Sequence, residues 1–175
     1  RTKYTITITP KMAFGTGHHQ TTSLMMEVMQ KEEKFIRDHK VLDMGCGTGI
    51  LAILAAKMKS ATPVHAIDID PTAVFSVREN AWKNRVHEKI DSRCGDASLI
   101  QAAKYDIILA NINRNILLQD MATYTRGLLP GGVLVISGFY TQDLQMLTEE
   151  ASRCGLEYEY HLEKENWVAA KFTKK

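Results

Sequence analysis

The sequence predicts an α/β fold with a mostly parallel, seven-stranded sheet that ends in an antiparallel hairpin. From Val41 onward, short apolar runs alternate with longer helical patterns, which is typical of βαβ units and a parallel sheet. The last two strand-like runs are joined only by residues 163–166, which are too few for a helical crossover and therefore require antiparallel pairing. A chain of 175 residues has the size of a single domain and can bury a substantial core.

The first segment alternates apolar and polar residues from Tyr4 to Thr9 and stops at Pro10, so it predicts a short edge strand. A glycine-containing loop follows it. Apolar residues then recur at spacings of three and four, which predicts a helix with one buried face. That face would consist of Leu24, Met25, Val28 and Met29.

The alternating part of the chain carries clear start and stop signals. Asp70 is placed to cap a helix that has Pro71 in its first turn. Residues 130–132, Pro-Gly-Gly, end one helix, and Gly155 ends the last. The predicted strands cover residues 41–44, 64–68, 90–94, 105–110, 133–137, 156–162 and 167–173, and the predicted helices cover residues 50–58, 71–84, 115–129 and 141–153.

Composition excludes several classes of protein. The 22 Lys and Arg residues nearly balance the 20 Asp and Glu residues, so there is no strong nucleic-acid signal. No apolar run reaches the ~20 residues that span a bilayer and no signal peptide is present, so we expect no membrane partner and a cytoplasmic location. Cys46, Cys94 and Cys154 are scattered, which argues against a disulfide framework and a zinc site. The chain begins at Arg1 without Met, so we interpret it as a piece of a longer protein.

The strongest chemical signal is the glycine-rich run from Asp43 to Gly49, between the first parallel strand and its helix. Glycines there let the backbone turn sharply and approach a ligand. A dinucleotide fingerprint needs GxGxxG, but this run reads GxGxG and has Ile50 in the sixth position. The spacing favours a ligand without phosphate, and S-adenosylmethionine fits that description. A nicotinamide-dependent oxidoreductase and a connector without ligand are the alternatives.

Two further acidic residues follow predicted strands. Asp68 ends the second strand, where a carboxylate can accept hydrogen bonds from both hydroxyls of a ribose. A capping role is the alternative, but Asp70 is better placed for it. Asp96 follows the third strand and could accept a hydrogen bond from the exocyclic amine of adenine, although a plain turn explains it nearly as well.

Asn111 is the candidate catalytic residue because it stands at the carboxyl end of a central strand. Methyl transfer from a sulfonium needs an amine lone pair, and an amide oxygen can accept the amine's hydrogens and aim that lone pair. A lysine amine has a pKa near ~10.4, so it must lose its proton first, and positioning would supply most of the acceleration. The alternative is that Asn111 caps the next helix; Asn113 and Asn115 are better candidates for such caps.

Other notable residues have simpler explanations. His18 and His19 lack a HExxH pattern or a second cluster of ligands, so we expect no metal site. Trp82 and Trp167 are interpreted as packing residues rather than a stacking platform.

Four segments together resemble a known family. Residues 13–22, 41–53, 68–71 and 129–132 are similar to the catalytic domain of the PrmA family, bacterial methyltransferases of protein eleven of the large ribosomal subunit. The AFGTGxHxTT pattern of the first segment is the specific part, because GxGxG and PGG occur across class I methyltransferases.

The resemblance covers nearly the whole chain and implies a Rossmann-like, class I S-adenosylmethionine-dependent methyltransferase domain over residues 1–175. It implies S-adenosylmethionine as the donor, S-adenosylhomocysteine as the product, and lysine and N-terminal amines of the ribosomal protein as acceptors. By this resemblance Thr16, Gly17 and Thr21 would close over the donor, with Asn111 facing the amine. The expected donor-binding residues are Phe14, Thr16, Gly17, Thr21, Asp43, Gly45, Gly47, Asp68, Asp96 and Asn111.

Two departures from the family keep alternatives open. Its members carry an N-terminal substrate-recognition domain that we expect to be absent from this chain. The residues after Asn111, Ile-Asn-Arg, are more polar than the usual continuation. A class I methyltransferase of RNA or a small molecule, or a non-catalytic module that binds the donor, are therefore alternative functions.

Overall fold

The computed structural model describes residues 3–9 and 19–175, and describes His19 by its backbone alone. In this part of the chain, seven strands form one mixed sheet with helices on both faces. The strands are β1 (Val41–Met44), β2 (Val64–Asp68), β3 (Ile90–Cys94), β4 (Tyr105–Asn111), β5 (Leu128–Tyr140), β6 (Leu156–Lys164) and β7 (Trp167–Lys174). The helices are α1 (His19–Lys31), α2 (Glu33–Ile36), α3 (Ile50–Lys57), α4 (Pro71–Lys83), α5 (Arg114–Gly127) and α6 (Leu144–Arg153).

The strand order is β3-β2-β1-β4-β5-β7-β6. The first five of these strands pair in parallel, and β7 pairs antiparallel with both β5 and β6. The predicted mostly parallel sheet with an antiparallel hairpin is therefore confirmed. The order reverses direction between β1 and β4, which is the place where open α/β sheets bind their ligands.

The core consists of two apolar layers, one on each face of the sheet. Successive side chains of a strand point to opposite faces, so in β4 Leu109 belongs to one layer and Ile108 to the other. Helices α1, α3 and α4 cover the first layer, and α5 and α6 cover the second. The predicted apolar face of α1 is confirmed, because Leu24, Met25, Val28 and Met29 are all buried.

The hairpin between β6 and β7 turns on two residues. Glu165 and Asn166 both have positive φ, 49° and 70°. Positive φ at both central positions is the signature of a type I′ turn, whose twist matches that of the flanking strands. The strands therefore run closer to the turn than the sequence predicted.

The prediction of an edge strand over residues 4–9 is wrong. These residues join no strand of the sheet. The backbone N–H groups of Thr7 and Thr9 donate instead to the side chains of Asn84, the C-cap of α4, and Asn80 within α4. The alternating pattern nevertheless reflects real burial, because Tyr4, Ile6 and Ile8 pack against the core. A period of two identifies an extended segment with one buried side, but it does not identify the groups that satisfy the backbone.

Some predicted boundaries and one predicted packing role also differ. Strand β5 begins at residue 128 instead of 133, with the Pro-Gly-Gly residues inside a shift of register against β4. Helix α6 begins at residue 144, after a 3-10 turn. Trp82, predicted to be a packing residue rather than a stacking platform, is 65% exposed, and its ring stacks on His87. Trp167 is half-buried and stacks on Tyr140.

Candidate functional site

The predicted site residues that the structure describes gather at the carboxyl ends of the parallel strands. Asp43 is the penultimate residue of β1, Asp68 ends β2, and Asn111 ends β4. Strands β2 and β4 flank β1 on either side, so the glycine-rich loop after β1 lies between the other two strand ends. Phe14, Thr16 and Gly17 lie outside the described residues.

The glycine-rich loop is shaped by two left-handed residues. Gly45 has φ +73°, and a Cβ atom there would lie 2.9 Å from Cγ1 of Ile112. Gly47 has φ +54°, and no heavy atom of residues 3–9 or 19–175 lies within 4 Å of its ideal Cβ position. The first glycine therefore allows close packing against the end of β4. The second leaves open space where a ligand can approach the backbone.

The Asp43 side chain connects the strand before this loop to the helix after it. Its side chain is only 1% exposed, and Oδ2 accepts a hydrogen bond from the backbone N–H of Ala52 at 3.1 Å. That N–H lies in the first turn of α3, whose capping residue, Gly49, has no side chain to accept it. Burial raises the pKa of Asp43 to about 7, and the nearby Asp68 carboxylate adds to the shift. Asp43 thus occupies the N-terminus of α3.

Asp68 connects the end of β2 to the same loop. Its Oδ2 accepts a hydrogen bond from Gly47 N–H at 2.9 Å, and its Oδ1 accepts one from Asp70 N–H at 3.0 Å. The side chain is half-buried, and each oxygen of an ionised carboxylate can accept about two hydrogen bonds. Asp68 therefore retains acceptor capacity beside the open space over Gly47. The capping role predicted for Asp70 is confirmed, because its Oδ1 accepts from Thr72 N–H at 2.9 Å.

Asp96 caps a short turn after β3. Its Oδ1 accepts hydrogen bonds from both the backbone N–H and the hydroxyl of Ser98, at 2.9 and 2.5 Å. These bonds, the side-chain one first, hold the pKa of Asp96 below its ordinary value. The plain turn that the sequence allowed is therefore present, and the contact with adenine stays a prediction.

Asn111 is half-buried at the end of β4, where its Nδ2 donates to Oγ1 of Thr22 at 3.4 Å. Because the amide nitrogen is the donor in this contact, Oδ1 is the atom that can accept a hydrogen bond from an incoming amine. Asn113 caps α5, as predicted, by accepting from Ile116 N–H at 3.1 Å. Asn115 has no capping contact among the described residues and instead accepts from the Arg114 side chain.

Several residues that hold Asn111 in place were not found from the sequence. Ile112 N–H donates to the carbonyl of Ser137 at 3.2 Å, and a Cβ atom on Gly138 would lie 2.3 Å from the Ile112 carbonyl oxygen. Thr22, which accepts from the Asn111 amide, comes from α1. Its neighbour Thr21, one of the predicted donor-binding residues, is fully buried in the same helix. These contacts join segments that are far apart in the chain, so no local pattern could have indicated them.

The remaining expectations concern metals and membranes. Among the described residues, no group of three or more His, Cys, Asp or Glu could hold a metal ion, while His18 and the His19 side chain lie outside that part of the chain. No helix in the described ranges is both long enough and apolar enough to cross a membrane.

Comparison with known proteins gives the chain a family. The family described as "Ribosomal protein L11 methyltransferase (PrmA)" matches residues 1–175. A ribosomal protein L11 methyltransferase from Porphyromonas gingivalis is 52% identical over 167 residues, covering 95% of this chain and 56% of the relative. One from Phocaeicola vulgatus is 47% identical over 176 residues, covering 100% of this chain and 61% of the relative. The chain thus spans about three-fifths of the length of these relatives.

Solved structures agree with this assignment of the fold. A crystal structure of ribosomal protein L11 methylase from Lactobacillus delbrueckii subsp. bulgaricus has a TM-score of 0.82 at 27% identity, covering 91% of this chain and 81% of that one. An RNA methyltransferase from Salinibacter ruber in complex with S-adenosyl-L-homocysteine has a TM-score of 0.67 at 20% identity, covering 89% and 90% of the two chains, and shares the fold alone. The glycine-rich loop, the aspartate after β2 and the match along the full chain lead to one conclusion: the chain belongs to the ribosomal protein L11 methyltransferase (PrmA) family.

Proposed function

We propose that residues 1–175 are the catalytic domain of an S-adenosylmethionine-dependent protein N-methyltransferase that acts on lysine and N-terminal amines of ribosomal protein L11. The observation that carries the proposal is the bond from Gly47 N–H to Asp68 Oδ2, which holds the carboxylate that we assign to the ribose beside an open backbone surface. The names of the relatives support the acceptor.

The site fits S-adenosylmethionine through its donor and acceptor groups. Asp68 would accept hydrogen bonds from the ribose hydroxyls, Gly45 and Gly47 would lie beneath the donor, and Asp96 would accept from the adenine amine. By the family resemblance, Thr21, together with Phe14, Thr16 and Gly17, would close over the donor. Asp43 would keep the loop in place by holding α3, since its contact is with Ala52.

The position of Asp43 also favours S-adenosylmethionine over a dinucleotide as the ligand of this site. In dinucleotide sites the pyrophosphate binds at the N-terminus of the helix that follows the glycines, where free N–H groups and the helix dipole attract it. Here the carboxylate of Asp43 already bonds to the first turn of α3 through Ala52 N–H. When ionised, it would repel a phosphate. This contact disfavours a nicotinamide-dependent oxidoreductase and favours a donor without phosphate.

The proposed mechanism uses Asn111 to orient the acceptor amine. S-adenosylmethionine would supply a methyl group on a positively charged sulfur. The amine lone pair would form the new N–C bond in line as the C–S bond breaks, and neutral S-adenosylhomocysteine would leave. Thr22 holds the Asn111 amide nitrogen, so that Oδ1 can accept a hydrogen bond from the amine and point its lone pair toward the methyl group. A neutral amide is not a base, so the amine loses its proton to water before attack, and most of the acceleration comes from positioning.

The experiment is intact-mass spectrometry of unmethylated ribosomal protein L11 after incubation with S-adenosylmethionine and the chain. We expect added methyl masses with the wild-type chain and about 100-fold slower transfer with Asn111→Ala, because the variant loses the group that positions the amine. Asn113→Ala is the matched control and should retain activity, since the Asn113 side chain caps α5 by accepting from Ile116 N–H.

Three other outcomes would point to different functions. Methyl transfer to RNA or a small molecule but not to the ribosomal protein would contradict the proposed acceptor, and an RNA acceptor would bind with a steep salt dependence. Binding of S-adenosylhomocysteine with no transfer to any acceptor would favour a non-catalytic module. Binding of a nicotinamide cofactor in its place would contradict the proposed donor.

A further inference from the structure

The segment before residue 10 is held in register by two side-chain amides, one from Asn80 in α4 and one from Asn84, which caps the C-terminus of that helix. Asn84 pairs with Thr7 as a neighbouring strand would: its Oδ1 accepts from Thr7 N–H at 2.8 Å, and its Nδ2 donates to Thr7 O at 2.7 Å. Asn80 Oδ1 accepts from Thr9 N–H at 2.9 Å. Four residues of a helix rise about 6 Å and two residues of an extended chain rise about 6.6 Å, so the two amides match alternate residues of the segment.

Asn80 has a second set of contacts that Asn84 lacks. Its Nδ2 donates to the carbonyl oxygen of Thr48 at 2.9 Å and lies 3.4 Å from Oγ of Ser76. Thr48 lies in the glycine-rich loop, directly after the residue whose N–H bonds to Asp68. The Asn80 side chain is 0% exposed. One buried amide therefore joins the backbone at Thr9 to the loop that we assign to the donor.

We propose that Asn80 is a positioning residue for the donor site, which sets the glycine-rich loop and the segment over residues 3–9 in a fixed relative position. This inference rests on the proposed function, because it takes the glycine-rich loop as part of the donor site. Removing the amide would leave the Thr9 N–H and the Thr48 carbonyl without their buried partner. The loop could then shift at Thr48, and the bond between Gly47 and Asp68 would shift with it.

The N-terminal segment has other anchors, so the loss of Asn80 need not detach it. Ile6 and Ile8 pack against the core, and the Lys3 side chain pairs with Glu33 of α2 at 2.9 Å. The specific contribution of Asn80 is the connection between segment and loop. Asn84 is the matched control, because it has the same side chain at the C-terminal cap of the same helix and bonds to the same segment. Its amide hydrogen bonds go to Thr7 and to the Asn80 carbonyl rather than to the loop.

The experiment measures the affinity for S-adenosylhomocysteine of the wild type, Asn80→Ala and Asn84→Ala by calorimetric titration, with thermal unfolding of each protein alongside. We expect both variants to lose stability to a similar extent. We expect Asn80→Ala to weaken binding by about tenfold and Asn84→Ala by less than about threefold, because only the former loses the bond to the loop. Equal effects on binding, or none for Asn80→Ala, would overturn the inference. Failure of the wild type to bind would instead overturn the proposed function.

A measurement on the wild type avoids dependence on the folding of a variant. The N–H groups of Thr7 and Thr9 are matched reporters, since each donates to an asparagine Oδ1 of α4. If Asn80 couples the segment to the donor site, S-adenosylhomocysteine should slow hydrogen exchange at Thr9 more than at Thr7. The same slowing at both amides, or at neither, would contradict the proposed coupling.

Discussion

The ends of β1 and β2 both place an aspartate beside the glycine-rich loop, but the two carboxylates differ in burial and in hydrogen-bond partners. Asp43 at β1 is 1% exposed and bonds to the first turn of α3. Asp68 at β2 is half-buried and faces the open space over Gly47. The residue type alone therefore does not determine which aspartate can bind a ligand. Burial decides which aspartate supports the loop and which can bind a ligand.

The largest expected effect is on ligand binding at Asp68. We expect Asp68→Ala to weaken binding of S-adenosylhomocysteine by about 100-fold or more, because two charge-assisted hydrogen bonds to the ribose are lost. Calorimetric titration measures this effect. Asp68→Asn should bind with intermediate affinity, since one oxygen remains as an acceptor. Unchanged affinity in the alanine variant would show that Asp68 does not bind the ribose.

The next effect concerns the pH dependence of stability, and it arises from Asp43. Burial raises the pKa of this carboxyl to about 7 from an ordinary value of 3.8, so between these values the folded state holds a proton that the unfolded state has lost. The contribution of Asp43 to stability is therefore fully present below about pH 4 and is lost as the pH rises through 7. Between pH 5 and pH 8 this loss amounts to about 2–3 kcal/mol.

Asp43→Asn tests this sign, because the amide oxygen can still accept from Ala52 N–H but cannot ionise. Its free energy of unfolding, measured with urea at pH 5 and pH 8, should decline less than that of the wild type. Subtracting the variant's pH dependence from that of the wild type cancels the contributions of other titratable groups. One of these is His65, whose pKa burial lowers to about 4 and whose contribution to stability has the opposite sign. Parallel profiles for the two proteins would contradict a raised pKa at Asp43.

The smallest effect comes from Asp70, two residues beyond Asp68. Asp70→Ala removes the cap of α4, and we expect it to lower the free energy of unfolding by about 1 kcal/mol. Binding of S-adenosylhomocysteine should not change, because Asp68 accepts its hydrogen bond from the Asp70 backbone rather than from the side chain. A large loss of binding in this variant would mean that the wrong aspartate has been assigned to the ribose.

Much of the fold could be predicted because its signals are local. The parallel strands are apolar runs at regular intervals, and the caps at Asp70 and Asn113 precede their helices directly in the sequence. The segment over residues 4–9 was predicted wrongly because its partners, the amides of Asn80 and Asn84, lie about 75 residues away. An alternating pattern contains no information about such a partner.

The candidate site divides in the same way. Asp68 and Asn111 were found from their positions at strand ends, which follow from the order of elements. The contact of Asp43 with Ala52 and the contact of Asn111 with Thr22 depend on how helices lie across the sheet. The path of the loop between β1 and α3 determines the first contact, and packing between distant segments determines the second. The sequence therefore indicated the residues but not their different environments.

The position of β7 has a consequence for how the chain acquires its structure. This strand follows the other six strands of the sheet in the chain, yet it lies inside the sheet between β5 and β6. Until residues 167–174 are available, β5 and β6 each present an unpaired edge, which is the kind of surface that recruits other chains. The strands that hold the glycine-rich loop can pair during synthesis, whereas the sheet becomes continuous only after residues 167–174 have emerged. A chain that is cut before β7 would therefore be prone to aggregate even though the residues of its donor site are all present.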